Sequence, residues 1–201
     1  MQPPRLILAS TSRYRRELLT RLRLPFEVES PDVDETPGAD EQPPALARRL
    51  ALAKAQAVAA RAPDAIVIGS DQVADLDGRC IGKPGTHARA TQQLRSMSGR
   101  TVVFHTAVAV LSRAAAFAGS VVVPVTVRFR SLTDPEIERY LRAEEPYDCA
   151  GSAKCETLGI ALLEAIESDD PTALIGLPLI RTCDLLRRAG IDPLADRTLA
   201  A

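Results

Sequence analysis

Leu6-Ile7-Leu8-Ala9-Ser10-Thr11-Ser12-Arg13-Tyr14-Arg15-Arg16 changes character twice within a few residues. The apolar run Arg5–Ser10 is too short for a helix and reads as a buried strand ending in small hydroxyl residues. Ser12–Arg23 follows, with leucines at 18, 19 and 22 in helical spacing. A buried strand running through a short hydroxyl joint into a helix is a building unit of α/β proteins.

Reading outward, the same alternation continues. Phe26–Ser30 reads as a strand, 31–44 as a proline-bounded loop, and Ala45–Arg61 as an alanine-rich helix. Ala65–Ser70 is a buried strand. Val73–Ile81 holds an Asp77-Gly78 turn, a hairpin signal. Thr86–Met97 reads as helix, and Arg100–Leu111 and Phe117–Arg130 as long β segments around a small turn. Thr133–Ala143 opens with the capping-box pair Thr133 and Glu136. Leu158–Ile166 reads as a strand, and Leu177–Gly190 as a helix closed by glycine. The expected fold is α/β around a mixed sheet, because long antiparallel-looking strands lie between strand–helix units. One domain over 1–190 and a tail over 191–201 are expected.

Composition narrows the function classes. The chain has 201 residues and a net charge of −1, which gives no general reason to expect nucleic acid or a membrane as partner. No apolar run approaches the length of a membrane helix, and no secretory signal is visible. The four cysteines (80, 149, 155 and 183) contain no C-x-x-C pair, so free thiols in a reducing cytoplasm fit better than a zinc site or disulfides. Among 25 basic residues only Lys54, Lys83 and Lys154 are lysines. Lysine and arginine are not interchangeable, so these three deserve separate tracking.

Chemistry concentrates at a few places. The N-terminus of a helix starting near Ser12 suits a phosphate, with Ser10, Thr11 and Ser12 as hydroxyl donors and Arg13, Arg15 and Arg16 as cations. A solvated basic face is the alternative. Residues 24–44 then hold seven acids and no base. Asp32-Val33-Asp34-Glu35 offers the hard oxygen ligands that magnesium or manganese prefers, or is simply solvated. Leu46, Leu50, Lys54 and Val58 share a helix face, so Lys54 either snorkels or aims at an anion. Asp71 directly follows the strand AIVIGS, where open α/β sheets bind ligands, and is a metal or proton-acceptor candidate or else a turn former. Gly78–Pro84 is one residue short of a phosphate-binding P-loop and lacks its Ser/Thr, leaving Lys83 as a flexible cation. Cys149–Glu156 is a small-residue loop; if extended, it puts Lys154 and Glu156 on one face. His105 reads as a packed strand residue and His87 as a surface one, so Ser-His or Cys-His nucleophilic catalysis is disfavoured.

The ordered set S-x-S-x-x-R-R-x-L-L (Ser10–Leu19), V-D-E-T-P (Val33–Pro37), the lysine of ALAKAQ, G-S-D-Q (Gly69–Gln72), G-K-P (Gly82–Pro84), A-G-S-x-K-x-E (Ala150–Glu156) and I-G-L-P-L (Ile175–Leu179) resembles the Maf family of nucleoside triphosphate pyrophosphatases. The resemblance implies an elongated fold around a mixed, twisted sheet, often dimeric, and hydrolysis of an α–β phosphoanhydride with a divalent metal, Mg2+ or Mn2+. It places Ser10, Arg15 and Arg16 at phosphate, Glu35, Lys54, Asp71 and Lys83 in catalysis, Glu35 and Asp71 at the metal, and Asp71 as proton acceptor. Arg13 stands where the family usually has proline. G-S-D-Q and A-G-S-x-K-x-E are similar to the branch acting on 7-methyl-GTP, with Tyr14, Gln72 and Glu156 at its specificity positions. A cationic N7-methylated guanine suits an aromatic face and a carboxylate, although Tyr14, Leu18 and Leu22 also form a core stripe. A dTTP/UTP pyrophosphatase, or a nucleotide-binding regulator of septum formation, are the alternatives.

Overall fold

The structure, a computed structural model, describes residues 4–195. Seven strands form one open sheet: β1 (Leu6–Ala9), β2 (Glu27–Glu29), β3 (Ile66–Leu76), β4 (Arg79–Ile81), β5 (Thr101–Ser112), β6 (Phe117–Phe129) and β7 (Leu163–Glu167). Their order is β2-β1-β3-β5-β6-β7, with β4 paired to β3. β1 runs parallel to β2 and β3, and every other pair is antiparallel, so the sheet is mixed as expected. The helices are α1 (Arg13–Thr20), α2 (Pro43–Arg61), α3 (His87–Met97), α4 (Asp134–Glu144) and α5 (Leu179–Arg188).

Alternation along β1 divides its side chains between two layers. Leu6 and Leu8 pack with Leu18, Leu19, Leu185 and Leu186 of α1 and α5. Ile7 and Ala9 pack with Leu46, Leu50 and Val58 of α2 on the other face. A third cluster joins Phe104, Val125 and Phe129 of the long strands to Leu94 of α3 and Leu141 of α4.

Four expectations are corrected. Asp71 does not follow a finished strand: β3 continues unbroken through Asp71 to Leu76, because β5 pairs with it along Ile66–Asp75. What ends near Asp71 is its other neighbour. β1 pairs with Leu6–Ala9 against Ile66–Gly69, and β4 pairs only from Ala74. Residues 70–73 therefore present an open edge in mid-strand. α2 begins at Pro43, not Ala45; prolines tolerate the first helical turn, where their missing N–H has no partner to lose. Leu158–Leu162 is a 3-10 turn, and the strand occupies Leu163–Glu167. At Gly159 a Cβ would lie 2.4 Å from the Lys154 carbonyl oxygen, an approach an extended chain does not make. The segment from Cys149 is not extended either: it turns at Gly151 (φ 69°) and again where the Thr157 N–H bonds the Lys154 carbonyl at 3.2 Å, and Lys154 is buried whereas Glu156 is exposed. The proposed tail lies mostly outside the described residues.

Two local devices matter for the site. Gly69 lets α2 lie directly on β3, since a Cβ there would meet the Ala51 carbonyl oxygen at 2.2 Å. The fully buried Asp170 carboxylate accepts from the N–H of Ile180 at 2.8 Å and of Arg181 at 3.2 Å, capping α5. The Asp77-Gly78 hairpin (φ 53° and 80°) is found as expected.

Candidate active site

The open edge of β3 faces a cleft of about 400 Å³ bounded by the start of α1, the acidic loop before α2, Lys83, and the loops around 148–156 and 174–176. Lys54, buried on α2, places its Nζ 2.6 Å from Asp71 Oδ1 and 2.5 Å from Glu35 Oε1. α2 supplies this lysine from its apolar stripe, so the ammonium is held at a depth that its two carboxylate partners compensate. Asp71 is itself buried. Glu35 arrives on the acidic loop, which is folded by its own neighbours: Asp34 accepts from the Thr36 N–H at 2.9 Å, and Arg49 donates to Glu41 and to the Thr36 carbonyl. Partial burial alone would raise the Glu35 carboxyl. The Lys54 ammonium, with Lys83 and Arg15 behind it, outweighs that and holds it below the ordinary value.

α1 opens beside this pair. Ser10 Oγ accepts from the Ser12 N–H at 3.1 Å, and Ser12 caps the helix by accepting from the Arg15 N–H at 3.4 Å. Arg15 donates its Nε to the Gly176 carbonyl at 2.9 Å. Burial lowers the Arg15 pKa against the pull of Asp71 and Glu35. Gly176 has φ 122°, which only glycine adopts freely, and its carbonyl also receives the Ser70 hydroxyl at 3.0 Å. Lys83 lines the cleft from the loop after β4. Thus Ser10, Arg15, Glu35, Lys54, Asp71 and Lys83 come together. Arg16 does not line the cleft and is exposed on α1.

Tyr14, Gln72, Asp148, Cys149 and Glu156 also line the cleft, together with Leu174 and Ile175. The Arg13 guanidinium stands 4.7 Å from the Tyr14 ring centroid and donates to its hydroxyl at 2.7 Å. That face of the ring is closed to a base while the contact stands. Burial pushes the Tyr14 hydroxyl well above its ordinary pKa despite Arg13. Burial likewise pushes the Cys149 thiol up to about 12, so it is no nucleophile at neutral pH. His105 lies 3.2 Å from Asp75 and His87 2.8 Å from Glu138, both outside the cleft lining.

Residues 5–189 match the family described as Maf-like protein. The chain belongs to the Maf family. Relatives carrying the name "7-methyl-GTP pyrophosphatase" include one from Polaromonas sp. (strain JS666), 67% identical over 192 residues that cover 96% of this chain and 88% of the relative. One from Albidiferax ferrireducens is 63% identical, covering 94% and 96%, and one from Bordetella pertussis 62% identical, covering 96% of both.

Within this Maf chain, sequence reasoning missed several residues at the cleft. Asp148 lines it one position before the small-residue loop, and only proximity reveals it. Ser70 and Thr106 are fully buried polar residues bonded to the 173–176 turn. Thr106 lies in an apolar β run, where its hydroxyl gave the only signal.

The chemistry of Glu35 and Asp71 suits a divalent cation, for which they would be the ligands. Among the described residues no group of three or more His, Cys, Asp or Glu converges on one point. Glu35 and Asp71 do converge, on a lysine ammonium that marks a position both carboxylates already favour for positive charge. Magnesium is commonly held by one or two carboxylates with substrate phosphates completing the shell.

Proposed function

We propose that this chain hydrolyses the α–β phosphoanhydride of 7-methyl-GTP, yielding 7-methyl-GMP and diphosphate. The observation that carries the reading is the ammonium of Lys54 clamped between Glu35 and Asp71 in a cleft that Arg15 and Lys83, and also Asp148 and Glu156, line. Such a cleft suits a ligand with a polyanionic tail and a cationic ring. The names borne by the relatives point to the same substrate.

Ser10, Arg15 and Lys83, with the N-terminus of α1, hold and neutralise the triphosphate. Arg16 is too far out on α1 to join them as α1 stands. Asp71 takes a proton from the attacking water. The water oxygen bonds to phosphorus at the α–β bridge, and the bridging oxygen leaves with the departing group, its charge met by Arg15 and Lys83. A divalent cation held by Glu35 and Asp71 with the phosphates would add Lewis-acid stabilisation of the developing charge. Lys54 orients both carboxylates through its direct contacts with them. Tyr14, Gln72 and Glu156 meet the base.

The test is diphosphate release with Mg2+ or Mn2+ across 7-methyl-GTP, GTP, dTTP, UTP and CTP. Preference for 7-methyl-GTP is expected. Preference for dTTP or UTP overturns the base assignment and keeps the reaction. No turnover by folded protein overturns both.

A further inference from the structure

Gln72 lines the cleft, yet its side chain is also the hub of a hydrogen-bond cluster. Its Nε2 lies 2.9 Å from Thr106 Oγ1, 3.0 Å from the Ala173 carbonyl and 2.9 Å from the Leu174 carbonyl. Thr106 Oγ1 in turn donates to the Ala173 carbonyl at 2.9 Å. The Thr106 proton is therefore committed, and its oxygen can only accept from Gln72. All three neighbours of this amide corner are acceptors, which fixes the NH2 there and excludes the flipped carbonyl. Thr106 itself is fully buried, so nothing from solvent substitutes for it. Among the described residues no group donates to Gln72 Oε1.

We propose that Thr106 is a positioning residue for base recognition: by accepting from the Gln72 amide and tying down the Ala173 carbonyl, it reinforces the hold of the Ala173 and Leu174 carbonyls on the NH2 and leaves Oε1 as the polar atom offered to the ligand. This rests on the nucleotide reading above and deepens it. Besides the Tyr14 ring, three of the side chains lining the cleft can then meet a base only as acceptors: Gln72 through Oε1, and Glu156 and Asp148 through their carboxylates. An acceptor wall selects a base edge with adjacent donors. Guanine offers N1–H beside its C2 amine. Uracil and thymine offer one N–H flanked by two carbonyls, whose lone pairs would face those of the wall. An unlocked Gln72 could flip, present its NH2, and accommodate either pattern. The lock makes the wall one-sided, and a site built to bond a group rejects the analogue that lacks it.

The experiment compares kcat/KM for 7-methyl-GTP and 7-methyl-inosine triphosphate, which lacks only the C2 amine, in the wild type, Thr106→Val and Thr106→Ser. The wild type should prefer the guanine form about tenfold or more. In Thr106→Val the Ala173 and Leu174 carbonyls still face the NH2 but its third acceptor is gone, so the preference should fall by about a factor of two or more, mainly through KM, and Thr106→Ser, which keeps the hydroxyl, should restore it. An unchanged preference in Thr106→Val, or no restoration by serine, overturns the proposal. So does a wild type that cleaves both nucleotides equally. A wild type that cleaves neither overturns the nucleotide reading and the proposal with it. Should Thr106→Val not fold, the Gln72 side-chain NH2 resonances of the 15N-labelled wild type decide. Two slowly exchanging protons support the lock, and fast exchange overturns it.

Discussion

Lys54 and Lys154 are both buried, 5% and 6% exposed, and their surroundings differ in kind. Lys54 faces two carboxylates at the wall of a cleft. Lys154 sends its Nζ 2.8 Å to the carbonyl of Glu144, the last residue of α4, where a cation complements the negative end of the helix dipole. Its own N–H meets the Tyr140 hydroxyl at 3.0 Å, and its carbonyl receives the Thr157 N–H at 3.2 Å. Both positions suit a long flexible ammonium, in a chain whose basic residues, Lys83 apart, are otherwise arginine. The scarcity marked a physical requirement; only the neighbours say whether it is chemistry or architecture. A lysine beside open space can exchange a carboxylate contact for a substrate phosphate, whereas one held in the core by a helix-end carbonyl cannot.

Methionine at each position breaks the comparison open. Lys54→Met should lower kcat at least a hundredfold. It should also cost about 3–5 kcal/mol of stability, because it leaves Asp71 buried without its partner. Lys154→Met should cost about 1.5–3 kcal/mol, the worth of a charge-assisted hydrogen bond, while kcat stays within a few-fold. Steady-state kinetics beside urea unfolding read both effects. A Lys154→Met protein as stable as the wild type but inactive would place Lys154 in the chemistry and end the distinction.

The backbone beneath each lysine offers a second comparison. At Gly69 a Cβ would meet the Ala51 carbonyl oxygen at 2.2 Å, and at Gly159 the Lys154 carbonyl oxygen at 2.4 Å. Both obstacles are backbone, so neither can rotate away. Gly69→Ala should cost about 1–3 kcal/mol or more as α2 is pushed off β3. It should also lower kcat, because the same shift parts Lys54 from Asp71. Gly159→Ala should cost a similar amount with a smaller effect on kcat. Equal loss of kcat in the two, measured at matched fractions folded, would show that the close packing of α2 is not what sets the Lys54–Asp71 distance.

Much of this was legible beforehand. The strand–hydroxyl–helix joint, the helix face holding Leu46, Leu50, Lys54 and Val58, and the Asp77-Gly78 hairpin depend on local spacing and turn chemistry, which a sequence displays directly. Asp71 was found but misplaced, since whether a strand ends depends on its partners, and β5 lies more than thirty residues downstream. The prolines of α2 read as loop because helix entry and loop use the same residue. Thr106 and Asp170 were invisible: each matters through groups far away in the chain. Among the acids of 24–44, only the folded loop shows that Glu35 alone reaches the cleft.

The smallest expected effect separates the two lysines by pH. Glu35 is held below its ordinary carboxyl value of 4.5 by Lys54, Lys83 and Arg15, against the opposing effect of its partial burial. A depressed carboxyl stabilises the fold above its unfolded pKa, and that contribution is lost as pH falls through the lower folded value. Its side chain is 53% exposed, so solvent screening limits the gain to about 0.5 kcal/mol. Glu35→Gln should therefore be slightly less stable than the wild type at pH 7, and the gap should close below about pH 4.5. Lys154 leans on a carbonyl, which does not titrate, so the gap between Lys154→Met and the wild type should stay nearly level over the same range. Thermal melts from pH 3 to 7 would show it. A Glu35→Gln gap that persists undiminished at pH 3 would mean that Glu35 holds its loop by packing, and that its attraction to Lys54 contributes nothing to the fold.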